Sequence, residues 1–201
     1  MTRIAARFLF PAFLCLLVLA CRRPDYFPLR PGTVLVFAAR TVEVTNGDTL
    51  VVEEHGYTFA VTGTRTETGL GRLIEVEFRR DLGAPSKWFF QRRRDGIWLV
   101  LPGVASDFPT APGWLQIVQW PLRVDRMWYG NAERDVGFEV RAIETVETPA
   151  GRFEKCFRIR ARPADSGSPV DFWLAPDTGL VRWVRPAGRD RVEIAELVSG
   201  V

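Results

Sequence analysis

The chain contains few of the side chains from which catalytic and metal sites are usually built. Among its 201 residues are three cysteines, one histidine and two methionines. His55, the single histidine, stands beside carboxylates only, whereas a zinc site normally combines several cysteine, histidine and carboxylate ligands. None of the five serines lies in a G-x-S-x-G motif. The sequence therefore predicts no catalytic residues, no metal, no cofactor and no enzyme, and it predicts His55 to be a solvated turn residue.

Helical patterning is also scarce beyond residue 21, where no apolar stripe of helical period combines with a cap. Apolar residues instead alternate with polar ones in short runs, as in residues 34–44. Turn formers such as Asn46-Gly47 separate the runs at intervals of about 8–12 residues. This pattern predicts an all-β fold: a strongly curved antiparallel sheet of roughly ten strands, as a meander, sandwich or incomplete barrel. An N-terminal signal helix precedes it.

The same alternation locates individual elements. We expect residues 53–56 to turn the chain and residues 102–113 to form a long loop, and the state of residues 115–120 is left open. Residues 28–35 can be laid over residues 121–128, which indicates either two β halves that begin alike or a chance similarity. In the second half, strands are predicted at residues 126–130, 135–147, 151–162, 170–175, 179–185 and 190–198.

The N-terminus has the layout of a secretory signal. Arg3 and Arg7 precede an apolar run, residues 8–20, which is too short to span a bilayer core of about 30 Å. The stretch Val18-Leu19-Ala20-Cys21 closes this run and resembles the lipobox of bacterial lipoproteins. The resemblance implies cleavage before Cys21, a diacylglyceryl group on its thiol and an acylated amine. An ordinary cleaved signal and a single-pass anchor are the alternatives.

If the resemblance holds, the chain is divided into a signal peptide (1–20), a lipidated cysteine with a short tether (21–32) and a single antiparallel β domain (33–201). It would be held outside the cytoplasm in the cell envelope. Arg22-Arg23 follow the cysteine where Asp would favour inner-membrane retention, which implies the outer membrane in a host that has one. Without residues 1–20 the net charge falls from +3 to +1, so no positive field that would recruit nucleic acid is expected.

Three phrases extend this resemblance. They are YFPL followed by Gly32, TPAG-x-F at residues 148–153 and W-x-AP-x-x-GLV at residues 173–181. Together they are similar to phrases in a group of uncharacterised bacterial lipoproteins, although Leu35 stands where an aromatic residue is usual. The resemblance implies an extracytoplasmic antiparallel β domain and no particular activity. The phrases themselves are typical of turns that fix hairpin register.

Cysteine usage excludes an internal disulfide, because Cys15 lies in the predicted signal and Cys21 would carry lipid. Cys156 remains and is expected to be an unreactive thiol. Strict alternation places it on one face with Glu154 and Arg158, whereas a bulge after Phe153 would bury it.

Candidate binding residues are mostly aromatic or basic. All seven tryptophans lie between residues 88 and 183, and they either fill a core or line a cavity. The arginines at 92–94 and 158–162 either pair with acids across strands or bind an anion. The carboxylates Asp107, Asp125 and Asp171 show no motif that would pair them. The residues predicted to line a cavity are Trp88, Trp98, Trp114, Trp128 and Trp173.

These observations favour a membrane-anchored, non-enzymatic binding domain for a lipid, a lipoprotein or a protein partner. An aromatic cavity open on one side would support this interpretation. A structural or assembly subunit is the alternative and would show a flat apolar patch or an open sheet edge. A hydrolase is a third alternative and would show convergent polar groups near residues 102–114.

Lipidation of Cys21 predicts a specific product in cells. Intact mass spectrometry of the mature protein should show a chain that begins at Cys21 and carries acyl groups. Cys21→Ser should abolish both the cleavage and the lipid, because the hydroxyl of serine is not the thiolate nucleophile that accepts the lipid. Cys156→Ser is the matched control and should leave both intact. An unmodified thiol at position 21, or an uncleaved leader, would contradict the assignment.

Overall fold

The computed structural model describes residues 24–45, 48–81, 83–100, 113–164 and 167–200. The predicted signal, Cys21, the Asn46-Gly47 turn, Asp107 and most of the 102–113 loop lie outside these ranges. The described residues form β-strands joined by turns, and the predicted all-β class with a strongly curved antiparallel sheet is confirmed. No described helix is long and apolar enough to cross a membrane.

Twelve strands are described, against the roughly ten predicted. In chain order they are β1 (Val34–Thr45), β2 (Asp48–Glu67), β3 (Gly71–Arg80), β4 (Ser86–Arg93), β5 (Gly96–Val100), β6 (Trp114–Gln119), β7 (Met127–Tyr129), β8 (Val136–Thr148), β9 (Gly151–Pro163), β10 (Val170–Ala175), β11 (Gly179–Pro186) and β12 (Arg191–Gly200). The six predicted in the second half agree with β7–β12 within two residues at each end. The segment whose state was left open is β6.

All twelve strands belong to one sheet in the order β6-β5-β4-β3-β2-β1-β12-β11-β10-β9-β8-β7. Strands that follow one another in the chain pair antiparallel, except β6 and β7, which are the two edges. Among the described strands, the one long-range pairing joins β1 to β12. The sheet thus consists of two six-strand meanders. The similar phrases at residues 28–35 and 121–128 lead into β1 and β7, the first strand of each meander.

The two edge strands approach each other, so the sheet is nearly closed into a barrel. The backbone N–H of Gln116 donates to the carbonyl oxygen of Gly130 (2.7 Å), and the indole N–H of Trp128 donates to the carbonyl oxygen of Gln116 (2.9 Å). A Cβ at Gly130 would lie 2.4 Å from Cδ1 of Leu115. This close approach therefore requires a glycine at position 130.

Alternate residues of the strands fill the interior with close-packed apolar side chains. Both meanders contribute, since the largest cluster of buried residues includes Phe37, Val61, Val76, Phe90, Ile97, Val140, Ile159 and Leu197. Residues 24–32, predicted as tether, belong to this folded body, because Phe27 and Leu29 are buried in the same cluster. Gly32 N–H donates to the carbonyl oxygen of Val61 (2.9 Å), which fixes the segment to β2.

The prediction of a turn at residues 53–56 is wrong, because β2 continues through these residues. These residues pair with residues 38–41 of β1. The polar run is stable as strand because its side chains have partners at this end of the barrel. Arg80 forms an ion pair with Glu53 and contacts His55 Nδ1 (3.3 Å), while the N–H of Gly56 donates to Asp81 (2.5 Å).

Cys156 is buried because a β-bulge follows Phe153, as in the second of the two alternatives. Strict alternation would have placed its side chain on the face that carries Glu154 and Arg158. Glu144 pairs with Cys156 and Val146 with Phe153, so two residues of β9 oppose one of β8. Lys155 within the bulge has φ 55°. The Cys156 side chain is fully buried with Sγ 3.3 Å from the carbonyl oxygen of Phe153, and burial raises the pKa of the thiol to about 11.

A buried thiol of high pKa should be inert in the folded protein, because the thiolate is the reactive species. In a chain that begins at residue 21 and carries Cys21→Ser, Cys156 is the single thiol. We expect its reaction with an aromatic disulfide reagent at pH 8 to be at least about 100-fold slower than in urea. Ser199→Cys in a Cys156→Ser background, which places the thiol on an exposed position of β12, should react promptly. Equal rates for the two thiols would contradict the burial.

Candidate functional site

An aromatic cleft of about 500 Å³ opens where residues 24–26 meet the connection between β6 and β7. This volume lies within the range of small-molecule pockets, roughly 300–1,000 Å³. We call it the N-terminal cleft; its lining residues are Pro24, Asp25, Tyr26, Arg92, Trp120, Pro121, Leu122 and Phe157. It lies at the end of the barrel where β1 begins and β6 ends.

One wall is the N-terminal segment, which hydrogen bonds hold in place. Asp25 and Asp177 exchange two bonds: Asp25 N–H donates to Asp177 Oδ1 (2.9 Å), and Asp177 N–H donates to the carbonyl oxygen of Asp25 (2.7 Å). Arg92 donates to both carboxylate oxygens of Asp25 (3.0 Å each) and to the carbonyl oxygen of Phe27. The segment is thus fixed between β4 and the turn from β10 to β11.

Aromatic and apolar groups form the rest of the lining. The ring of Tyr26 meets that of Phe157 edge-on, with centroids 4.9 Å apart. Trp120 begins the opposite wall, and its backbone N–H donates to the carbonyl oxygen of Asp95 (2.8 Å). Pro121 follows through a cis peptide bond, and Leu122 completes this side. The sequence reasoning did not single out Trp120, although its position in a turn-rich connection between strands was a usable signal.

The described lining of the cleft is close to neutral in charge. Among these eight residues, Arg92 and Asp25 neutralise each other, and the other six side chains are uncharged. Burial, followed by the fields of Cys156 and Asp177, raises the pKa of Tyr26, so its phenol stays neutral near physiological pH. A neutral, aromatic-lined cleft of this kind suits an apolar chain rather than an ion.

The five tryptophans predicted to line a cavity do not share one cleft. Trp88 is partly buried against the core and stacks on Phe78 (centroids 5.1 Å apart). Trp128 stacks on Phe138 and lines a second cleft of about 470 Å³ at the β7 edge. The other three are covered by arginines: Arg93 lies 4.7 Å from the Trp98 ring and 4.5 Å from the Trp114 ring, and Arg158 and Arg182 lie 5.2 and 5.7 Å from the Trp173 ring.

The arginine row of β9 pairs with acids across strands. Arg158 and Arg160 both bind Asp171 of β10, with shortest contacts of 2.5 and 2.7 Å, and Arg162 lies 3.6 Å from Glu139 of β8. Burial raises the pKa of Asp171, but the hydrogen bonds from Arg160 and Arg158 outweigh it and lower the pKa overall. Asp171 is therefore ionised, and its carboxylate is held by the ion pairs with Arg158 and Arg160.

A second buried polar cluster surrounds Glu193 of β12. Tyr57 O–H (3.0 Å), Trp183 N–H (3.2 Å) and Arg185 (2.7 Å) donate to its carboxylate. His55 is not a solvated turn residue: its side chain is 3% exposed, and its Nε2 lies 3.2 Å from Glu193 without hydrogen-bond geometry. Sequence reasoning missed this cluster because its members come from β2 and from the β11–β12 hairpin, which lie at opposite ends of the chain.

The environment of Glu193 keeps it ionised. Burial raises its pKa, but the hydrogen bonds from Arg185 and Trp183 and the charge of Arg185 together lower it below the ordinary value. Burial raises the pKa of Tyr57, which remains a donor. A carboxylate that accepts this many bonds is a structural anion rather than a free general base. Among the described residues, no group of three or more His, Cys, Asp or Glu could hold a metal ion.

The fold has been seen in solved structures. A protein provisionally assigned as a lipoprotein from Parabacteroides distasonis aligns over 90% of this chain and 100% of its own, with 16% identity and a TM-score of 0.50. A provisionally assigned exported protein with a YmcC-like fold from Bacteroides fragilis aligns over 89% of this chain and 100% of its own, with 15% identity and a TM-score of 0.50. At these identities the likeness shows a shared fold alone. No family model and no curated protein matches the chain.

The Glu193 cluster predicts acid-sensitive stability. Glu193→Gln should lower the free energy of unfolding at pH 7 by about 1–3 kcal/mol, because it leaves Arg185 and His55 without the buried charge that they face. The folded-state pKa of Glu193 is lowered, so its contribution is present above the unfolded pKa and is lost as pH falls through the folded one. The difference between wild type and variant should therefore shrink in acid.

Urea unfolding between pH 3 and pH 7 measures this difference. Glu43→Gln is the matched control, since Glu43 forms a solvent-exposed pair with Arg191 and should change stability by less than about 0.5 kcal/mol. A Glu193→Gln effect that matched this control, or that grew in acid, would contradict the role assigned to the buried carboxylate.

Proposed function

We propose that the chain is a cell-envelope lipoprotein, anchored through lipid on Cys21, whose β domain binds an apolar chain in the N-terminal cleft without catalysing a reaction. The observation that carries this proposal is the position of the cleft. Its wall is built from Pro24, Asp25 and Tyr26, so the binding site begins three residues after the cysteine of the lipobox. Ligand site and anchor are thus adjacent in the chain.

The envelope location draws its support from two sources. The stretch Val18-Leu19-Ala20-Cys21 has the residue types that a lipobox requires, after an apolar run of signal length. Two solved structures with a similar fold are described, provisionally, as a lipoprotein and an exported protein. Arg22-Arg23 favour the outer membrane of a two-membrane host, with the β domain in the periplasm.

The lining supports an apolar ligand. Three aromatic rings and Leu122 face the cleft, whereas the charged pair of Asp25 and Arg92 is internally neutralised. Burial of an alkyl chain contributes about 0.8 kcal/mol per CH₂, so a segment of ten methylenes corresponds to about 8 kcal/mol before the costs of association are subtracted. This is sufficient for specific binding without a charged contact.

A non-enzymatic role is consistent with the state of the carboxylates. Asp171 binds two arginines, and Glu193 accepts bonds from Tyr57, Trp183 and Arg185. Both have lowered pKa values, whereas the general acid of a two-carboxylate hydrolase requires a raised one. Asp125, another carboxylate for which the sequence shows no pairing motif, lies in the β6–β7 connection with φ 65°.

An assembly subunit is the second candidate function, and one observation favours it. The β1–β2 hairpin ends on the opposite side of the barrel from the N-terminal segment, and there it exposes Val44, Leu50, Val51 and Val52. An exposed apolar group of this kind is typical of a protein contact. A protein bound there would meet the end of the domain that lies farther from the anchor.

Binding of a neutral fluorescent probe such as N-phenylnaphthylamine tests the first function. The chain that begins at residue 21 with Cys21→Ser should bind the probe saturably at micromolar concentration, with about one probe per chain. Leu122→Arg should weaken binding at least about ten-fold, because it introduces a charge into the apolar lining. Val124→Arg, at an exposed position of the same connection, is the matched control and should bind like the parent.

Urea unfolding of both arginine variants confirms that each remains folded. Unsaturable binding by the parent chain, or equal affinity of Leu122→Arg and Val124→Arg, would contradict ligand binding in the N-terminal cleft.

A further inference from the structure

We infer that the N-terminal cleft takes one acyl chain of the protein's own Cys21 anchor, so that the anchor itself is the resident ligand. This inference rests on the proposed function, since it requires lipid on Cys21. It goes further by naming the occupant and by coupling the state of the anchor to the availability of the site.

Chain length brings the anchor to the cleft. Pro24 lines the cleft, and Cys21 precedes it by three residues, which span at most about 11 Å when extended. An acyl chain that fills one leaflet of a bilayer core of about 30 Å reaches about 15 Å. The acyl chain can therefore enter the cleft even when the intervening residues are fully extended.

The direction of the chain also favours this occupant. The hydrogen bonds between Asp25 and Asp177 hold the backbone at the cleft wall, so the described part of the chain begins at the cleft itself. A ligand on so short a tether experiences an effective concentration in the millimolar range or above. A free lipid of equal intrinsic affinity would compete poorly unless it were similarly abundant.

Charge separates the anchor from a free fatty acid or phospholipid. Among the described lining residues, Arg92 has the one guanidinium, and it already binds the carboxylate of Asp25 and the carbonyl oxygen of Phe27. An anionic head group would have to displace Asp25. An acyl chain linked through the ester or amide of a lipidated cysteine is uncharged and leaves this pair intact.

Anchoring survives the loss of one acyl chain from the bilayer. The lipid implied by the lipobox has three chains, two on the diacylglyceryl group and one on the amine. One chain alone holds a protein only marginally, whereas two give stable attachment. Moving one chain into the cleft leaves two in the membrane, and the exchange is nearly balanced because both environments bury the same methylenes. A second lipid or a partner could thus displace the chain and open the site.

Photocrosslinking in cells tests this inference on the complete protein. Cells are fed a palmitate analogue that carries a diazirine, irradiated, and the purified protein is digested with trypsin. We expect an intramolecular adduct that joins the Cys21 peptide to the peptide containing Trp120 and Leu122. Leu122→Arg should reduce this adduct at least ten-fold relative to wild type, and Val124→Arg should leave it unchanged.

The outcomes separate the inference from the proposed function. A phospholipid adduct on the Trp120 peptide, without the Cys21 link, would overturn self-occupation while supporting lipid binding in the cleft. Lipidated Cys21 with no adduct on any cleft residue would overturn self-occupation, and probe binding by the Cys21→Ser chain would then decide the proposed function independently. An unlipidated Cys21 would overturn both.

Discussion

The pairing of β1 with β12 is the constraint on which the rest of the structure depends. Every other strand pair joins neighbours in sequence, so each can form from a local hairpin. Only the contact that runs from Leu35↔Gly200 to Glu43↔Arg191 closes a loop of nearly the whole domain. The entropic cost of such a closure grows slowly with length but has to be met before its contacts form. Once formed, it joins the two meanders into one sheet.

This closure also determines where the N-terminal segment lies. Residues 24–32 lead directly into β1, so they are held at the barrel end where the turn from β10 to β11 and the end of β4 converge. Phe27 and Leu29 complete the core there, and Pro24 to Tyr26 remain at the surface as one wall of the cleft. The same segment therefore stabilises the fold, forms the candidate site and leads toward the lipobox cysteine. An ordinary linker would neither stabilise the fold nor form part of a site.

Sequence reasoning succeeded where structure depends on local pattern and failed where it depends on distant partners. Alternation and turn residues located the strands of the second half, because side-chain period and turn chemistry are local properties. The strand character of residues 53–56 could not be predicted, because it depends on Arg80 of the next strand. The buried state of His55 depends on Glu193, which is 138 positions away in the sequence. The burial of Cys156 depends on a β-bulge, and alternation alone does not show whether a bulge is present.

The positions of the tryptophan side chains explain why the candidate site lies at an end of the barrel. A strongly bent sheet could line a central cavity with its tryptophans, but Trp128 and Trp173 are buried in the core here and Trp88 packs against it. Trp98, Trp114 and Trp173 also lie against guanidinium groups, which cover ring faces that a ligand would need. Trp120 also packs against the core, but it lies in the connection between β6 and β7 rather than in a strand, and it lines the N-terminal cleft. Binding of an apolar chain is therefore expected where the regular sheet stops, and the N-terminal segment provides the second wall.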